Sequence, residues 1–312
     1  MCHICPLCHC KESEELATLK TGTIISAHRG LLRQILGRDF ATFSELRYLS
    51  CRNCDLKFFD PALTGSPEYY EQLALRYESY YLEDKSEYDF AKTFINEDDK
   101  VLEIGAGKGV FAKKISAKRY IGLELSLKAI EMALRQGVEL IDELIEEHSL
   151  KNEETYDVIC AFQVLEHISD IYGFISSCIR CLKHKGIIIY SVPSADSYVS
   201  LVPNATLNLP PHHISHWPDS TLRNVTKIFP LELVKIEHEI LADIHKRNYS
   251  VTVCEQAINS LIGRKHTLLD ISLKGKIVRS FASLFSRFFV RGLADSRIRP
   301  QGHSVTVVYR KY

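Results

Sequence analysis

Six of the ten cysteines in this 312-residue chain fall within the first 54 residues, and four of them form two C-x-x-C pairs, Cys5-Pro6-Leu7-Cys8 and Cys51-Arg52-Asn53-Cys54. A two-residue gap lets both thiolates of a tight turn reach one tetrahedral ion, and two such knuckles complete a closed, structural site. Cys5, Cys8, Cys51 and Cys54 are therefore expected to hold Zn2+, with Cys2, His3, His9 and Cys10 as spare donors. The 42 residues between the knuckles exceed the usual compact spacing, which predicts an insertion around residues 22–39. Inert reduced thiols or a redox pair are the competing uses of the same spacing.

A second group of residues surrounds the run Val101-Leu102-Glu103-Ile104-Gly105-Ala106-Gly107-Lys108-Gly109-Val110. A buried strand that turns on glycines is the geometry that binds nucleotide-like ligands at the strand's carboxyl end. Val110 stands where a dinucleotide fingerprint wants its third glycine, so a pyrophosphate is disfavoured. Glu103, before the turn, favours a cationic or hydroxyl-bearing ligand. Glu124, nineteen residues beyond Gly105, ends the next strand, where an acid can accept hydrogen bonds from both ribose hydroxyls. Two acids without a phosphate cradle describe a cationic nucleoside.

The third group is dense. Pro210 to Pro218 holds three prolines, three histidines and the chain's only tryptophan in nine residues. Prolines stiffen the backbone, and an imidazole titrating near ~6.5 can take a proton from an acceptor hydroxyl, amine or carbon acid. His212, His213 and His216 are candidate bases; structural histidines bonded to carbonyls are the bland alternative. A metal site on His212, His213 and His216 is disfavoured, because adjacent histidines point apart and no carboxylate lies near them in sequence.

The elements that must position these groups alternate. Short apolar runs at 101–104, 120–123, 156–159 and 186–190 are separated by helical text, which predicts a parallel α/β sheet covered on both faces; strand patterns at 231–240 and 303–309 follow. Lys+Arg and Asp+Glu are equal at 39 each, so the formal net charge is zero, and 46% of residues are hydrophobic. Disorder is excluded, and a global basic footprint for nucleic acid is absent. Apolar runs are too short for a membrane span, and the opening residues lack a secretory pattern, so a cytoplasmic location is expected. Residues 264–299 carry nine Lys/Arg against two Asp, while Ile277, Phe281, Leu284, Phe285, Phe288 and Phe289 recur at helical spacing. That amphipathic helix, within 272–294, suits the inner membrane face or a lipid-linked substrate, against the alternatives of a cover for the active-site mouth or a dimer interface.

Residues 100 to about 196 resemble the class I S-adenosylmethionine-dependent methyltransferases. Glu103-Ile104-Gly105-Ala106-Gly107-Lys108-Gly109 matches that family's E/D-x-G-x-G-x-G loop, Glu124 its ribose-binding acid, and Tyr156 to Asp170, with Val164-Leu165-Glu166-His167-Ile168, its segment after the fourth strand. The resemblance implies that Glu103, Gly105, Ala106, Gly107, Gly109, Glu124 and Leu125 hold S-adenosyl-L-methionine, that Phe162 and Gln163 face its methionine end, and that His167 lies beside the site, which adds it to the candidate bases. Asp142 and Glu143 compete for the adenine contact, and Tyr80 and Tyr81 are placed to close over the methionine moiety or to pack at the domain boundary. Asn208-Leu209-Pro210-Pro211-His212-His213 with Trp217 is similar to a stretch of bacterial methyltransferases that carry an N-terminal zinc ribbon and often lie among surface-sugar or secondary-metabolite genes. The tyrosine-and-histidine acceptor motif of zinc-ribbon sugar C-methyltransferases is not found.

The expected organisation is a zinc ribbon at 1–60, a linker with helices at 61–99, and a seven-stranded Rossmann-like α/β methyltransferase domain at 100–312, with a helical insertion at 241–302. The expected activity is methyl transfer to a small-molecule or glycan-type acceptor, with O-, N- and C-methylation left open. The alternatives are an RNA methyltransferase, which the zero net charge disfavours, and a zinc-dependent binding protein with an inactive methyltransferase domain.

Overall fold

The structure is a computed structural model that describes residues 3–76, 85–293, 298 and 300–312. The amino-terminal part forms strands β1 (Ser13–Lys20), β2 (Glu45–Cys51) and β3 (Lys57–Asp60), with helices Thr21–Ala27 and Leu31–Asp39 between β1 and β2. Those helices fill the long gap between the cysteine pairs. Ile24, Leu32, Ile35 and Leu36 turn inward to pack on Leu46, Tyr48 and Phe59 as a core of their own.

The larger sheet contains β4 (Lys100–Ile104), β5 (Arg119–Leu123), β6 (Leu140–Ile141), β7 (Tyr156–Phe162), β8 (Leu182–Pro193), β10 (Leu231–Ile240) and β11 (Gln301–Lys311), in the order β10-β11-β8-β7-β4-β5-β6. Strands β6, β5, β4, β7 and β8 run parallel, and β11 is antiparallel to both its neighbours. The expected seven-stranded α/β sheet is present. Central β4 and β7 read as near-continuous apolar runs because both faces are covered.

Strand β9 (Ser215–His216) belongs to the other sheet. It pairs with β3, Lys57 opposite His216 and Phe58 opposite Ser215. Trp217, fully buried, donates its indole hydrogen to Ser215 Oγ at 3.1 Å and bridges to Ser194 after β8. One apolar cluster accordingly runs from Leu7, Leu49 and Phe58 through Trp217 to Ile104 and Tyr190.

Between β10 and β11 lie helices Lys246–Leu261 and Leu273–Gly292. Gly275, Val278, Ala282 and Ser286 form the buried side of the latter, and Ala282 packs with Val251 and Cys254. Arg279 donates to the buried carboxylate of Glu255 at 2.6 Å. The large residues Ile277, Phe281, Leu284, Phe285, Phe288 and Phe289 are left exposed.

Candidate functional site

The two cysteine knuckles fold alike. Cys5 and Cys51 each accept a bond from the amide four residues on, His9 and Asp55, and each donates its own amide to the carbonyl five residues on, Cys10 and Leu56. His9 and Asp55 both take left-handed backbone angles that close the turn. The sulfurs of Cys5 and Cys54 are 3.6 Å apart and those of Cys8 and Cys51 3.5 Å, far beyond the ~2.05 Å of a disulfide. All four lie within 4.8 Å of one another. Thiolates ~2.3 Å from a shared tetrahedral ion sit ~3.8 Å apart, so the cluster already has the dimensions of a four-sulfur site. The spare donors are engaged elsewhere: His3 with Asp60 and Arg47, His9 against Tyr172, Cys10 with the amide of Glu12. Cys2 lies outside the described residues.

At the carboxyl end of β4, Gly105, Gly107 and Gly109 all adopt positive φ, 70°, 54° and 71°. A Cβ at Gly105 would sit 2.6 Å from Val164 Cγ2, and one at Gly109 2.7 Å from Val138 Cγ1, so both strain and space demand glycine. Glu124 holds the loop: Oε2 accepts from the Gly107 amide at 2.8 Å, while Oε1 accepts from the amides of Leu125 and Ser126 at 2.9 and 2.8 Å. Leu125 itself is exposed. Glu103 is fully buried, accepts a bond from the Tyr120 hydroxyl, and is pushed up to about 8 by that burial.

Beyond β7, Gln163 is held at φ 60°, an unusual setting for a residue with a side chain. Its amide nitrogen reaches Ser304 Oγ at 3.2 Å, Ser191 Oγ at 3.4 Å and the buried carboxylate of Glu87 at 3.5 Å. Phe162 packs with Phe111 and Tyr88 beside it. Burial raises the Glu87 carboxyl. Glu87 had no signal in the sequence, since one acid in a helix-forming stretch is ordinarily solvated. Tyr80 and Tyr81 lie outside the described residues.

The histidines divide. His167, His212 and His213 bring their ring nitrogens within 4.8 Å of one another; the rings of His212 and His213 stack at 4.7 Å, and that of His167 stands 4.6 and 5.0 Å from them. His216 is not in the cluster. Its Nδ1 accepts from the Tyr48 hydroxyl at 2.7 Å and its Nε2 donates to the Asn208 carbonyl at 2.9 Å. The expected divergence of adjacent histidines does not occur, because the amides of both His212 and His213 bond Leu209 O, a turn that lays the rings side by side. The carboxylate missing from the local sequence also arrives from afar. Glu166, 1% exposed, places Oε1 4.0 Å from Nε2 of both His167 and His213. Desolvation pushes Glu166 up to about 8 and His167 down to about 4, and holds His212 and His213 well below the usual imidazole range. These imidazoles are neutral at physiological pH and weak as bases.

The two halves of the site adjoin, since Val164, against Gly105, precedes the 3-10 turn Leu165–His167. Among solved structures, the chain is similar to an S-adenosylmethionine-dependent methyltransferase of Thermotoga maritima (TM-score 0.48, 18% identity, 78% of this chain and 96% of that one) and to one of Archaeoglobus fulgidus (TM-score 0.45, 18% identity, 79% and 95%). Among curated proteins it is 26% identical to the ubiquinone biosynthesis O-methyltransferase of Salmonella arizonae, over 39% of this chain and 61% of that protein. The chain thus spans less than two thirds of that relative. A family profile described as a methyltransferase domain matches residues 74–236, just over half of the chain, and the chain belongs to that methyltransferase family.

Proposed function

We propose that the protein transfers a methyl group from S-adenosyl-L-methionine to a small-molecule or glycan-type acceptor. The observation that carries it is the loop of three left-handed glycines whose middle amide is bonded to Glu124 at the strand ends. On binding, the ribose hydroxyls take over Glu124, the turn 105–109 lets the ligand approach the backbone, and Phe162 and Gln163 flank the methionine end. Asp142 follows β6 directly and is assigned the adenine; Glu143 is spent on His148 and Lys151.

The ligand supplies an activated methyl group on a sulfonium, so the chain's task is chiefly to hold donor and acceptor in line. The acceptor is assigned to the side occupied by His167, His212 and His213, away from the adenine. The curated relative is named an O-methyltransferase, which supports a hydroxyl acceptor.

The four-cysteine cluster is assigned a structural Zn2+; its closed donor set and its seat in the main core support this. The exposed aromatic face of helix Leu273–Gly292, flanked by exposed Lys274, Lys276 and Arg287, is assigned to an anionic membrane surface that carries the acceptor. Arg291's side chain lies outside the described set. No helix among the described residues is long and apolar enough to cross a membrane.

Titration calorimetry with S-adenosyl-L-methionine tests the central assignment. Saturable one-to-one binding is expected, and its absence in folded protein would overturn it. A screen with labelled cofactor against hydroxylated metabolites, nucleotide sugars, lipid-linked glycans and RNA then identifies the acceptor.

A further inference from the structure

We infer that Glu166, His167, His212 and His213 form a second metal site, distinct from the cysteine cluster, that takes a divalent first-row transition ion. The geometry points there through the tautomers. His167 Nδ1 donates to the carbonyl of His212, and His213 Nδ1 donates to Asn208 Oδ1 at 3.1 Å. Each ring therefore carries its proton on Nδ1 and presents a bare Nε2 lone pair. This is how metal-ligating histidines are usually held, with the second nitrogen fixed by a carbonyl.

Both lone pairs face the same oxygen, Glu166 Oε1, at 4.0 Å. Neither oxygen of Glu166 accepts a hydrogen bond from another described residue, although the side chain is buried. Three electron-pair donors, the Nε2 atoms of His167 and His213 and Glu166 Oε1, thus face one another, an unfavourable arrangement unless a proton or a cation joins them. A proton on Glu166 reaches one Nε2 at a time, whereas an ion bonds all of them. Ligands ~2.1 Å from a tetrahedral ion lie ~3.4 Å apart, so the 4.0 Å from Glu166 Oε1 to His167 and His213 needs to close by about 0.6 Å, and the three imidazoles, within 4.8 Å of one another, by up to about 1.4 Å.

Three neutral imidazoles and one carboxylate favour zinc, iron, cobalt or manganese over Mg2+, which prefers an all-oxygen shell. The site is not closed. His167 is partly exposed, and the Tyr70 ring, 6.2 Å from His167 and 6.0 Å from His212, forms its outer wall. Four protein ligands complete a tetrahedral shell, so a ligand from the side assigned to the acceptor would enter only by expansion to five-coordination; in this site the imidazoles serve as ligands rather than as bases.

The test is metal content, measured without S-adenosylmethionine, so its failure leaves the cofactor assignment standing. Protein reconstituted with Co2+ and desalted is expected to retain two equivalents, one with intense thiolate-to-cobalt absorption and one without it. Cys51→Ser should remove the thiolate signal and one equivalent. Glu166→Gln and His213→Ala should each remove the other equivalent while the thiolate signal stays, which also shows the variants folded. Asn208→Ala, which frees the His213 ring without removing a ligand, should weaken the second equivalent about 10- to 100-fold. Retention of a single equivalent by the wild type, or of two by Glu166→Gln, would overturn the inference.

Discussion

Tyr48 donates its hydroxyl hydrogen to Nδ1 of His216, 168 residues away in sequence, at 2.7 Å. Tyr48 sits on β2 of the cysteine-bearing sheet, and His216 follows the paired histidines by three residues. With Nε2 bonded to Asn208 O, His216 is held in one neutral tautomer, packed edge-on against Tyr48 and Phe59.

That burial makes stability acid-sensitive. His216 is pushed down to about 4 by desolvation, as are His167 and His303. Between about 6.5 and about 4 the unfolded chain binds protons that the folded chain refuses, so stability falls as pH drops through that window, by up to ~1.4 kcal/mol per pH unit for each such group. His216→Phe should shallow this acid limb. At pH 7 it should cost about 1–3 kcal/mol, because Tyr48 OH and Asn208 O lose their partner. Urea unfolding between pH 4 and 8 checks both; an unchanged acid slope in the variant counts against the assignment.

Glycines 105 and 137 make a matched pair. Both have positive φ, 70° and 79°, but a Cβ at Gly137 meets nothing within 4 Å. Gly137→Ala should cost about 1–2 kcal/mol in backbone strain and leave S-adenosylmethionine binding intact. Gly105→Ala adds a collision with Val164, and binding should fall more than about tenfold. Calorimetry on the two variants separates strain from site damage, and equal affinities would dismiss the loop as the ligand seat.

Replacing Glu124 by Gln removes charge-assisted bonds worth about 1.5–3 kcal/mol and turns an NH2 group toward the amide of Gly107 or those of Leu125 and Ser126, so some loss of stability should accompany it. S-adenosylmethionine affinity should drop by roughly 10- to 100-fold. An affinity within about twofold of wild type would move the ribose elsewhere.

Chelation at the cysteine cluster should lower the thermal midpoint, since Cys5, Cys51 and Cys54 share a core with Leu102 and Trp217. Release of zinc without any change in melting would show that the four sulfurs do not bind a structural ion.

The triple change Phe285→Ser, Phe288→Ser and Phe289→Ser removes three exposed rings and should keep the fold. Co-sedimentation with vesicles containing anionic lipid should occur for the wild type, weaken with salt, and disappear in the variant. Equal sedimentation of the two proteins excludes this face.

What was legible in the sequence was local. Two C-x-x-C turns and a strand breaking on Gly105 fix their own geometry within a few residues, so spacing alone located the four sulfurs and the glycine loop. Six of the seven strands followed from apolar runs and alternation; short β6 lacked a clear pattern, and the strand order was not legible because pairing between distant segments leaves no local trace. The histidine cluster was legible in its members but not in its form. Adjacent side chains diverge in extended backbone, and nothing in residues 207–218 announces that both amides turn back onto Leu209. Glu166 was visible only as part of a motif, because its role depends on His213, which arrives 47 residues later. Glu87 carried no signal for the same reason: its partner Gln163 is 76 residues away in sequence.

The position of β11 between β8 and β10 has a bearing on biosynthesis. Until residues 301–311 leave the ribosome, β10 has no neighbour on which to dock, and β8 keeps a bare edge of apolar residues open to other nascent chains. Polypeptides interrupted in the helical stretch before β11 should be strong clients for chaperones, and deletion of residues 301–311 should be far more damaging than the small number of residues suggests.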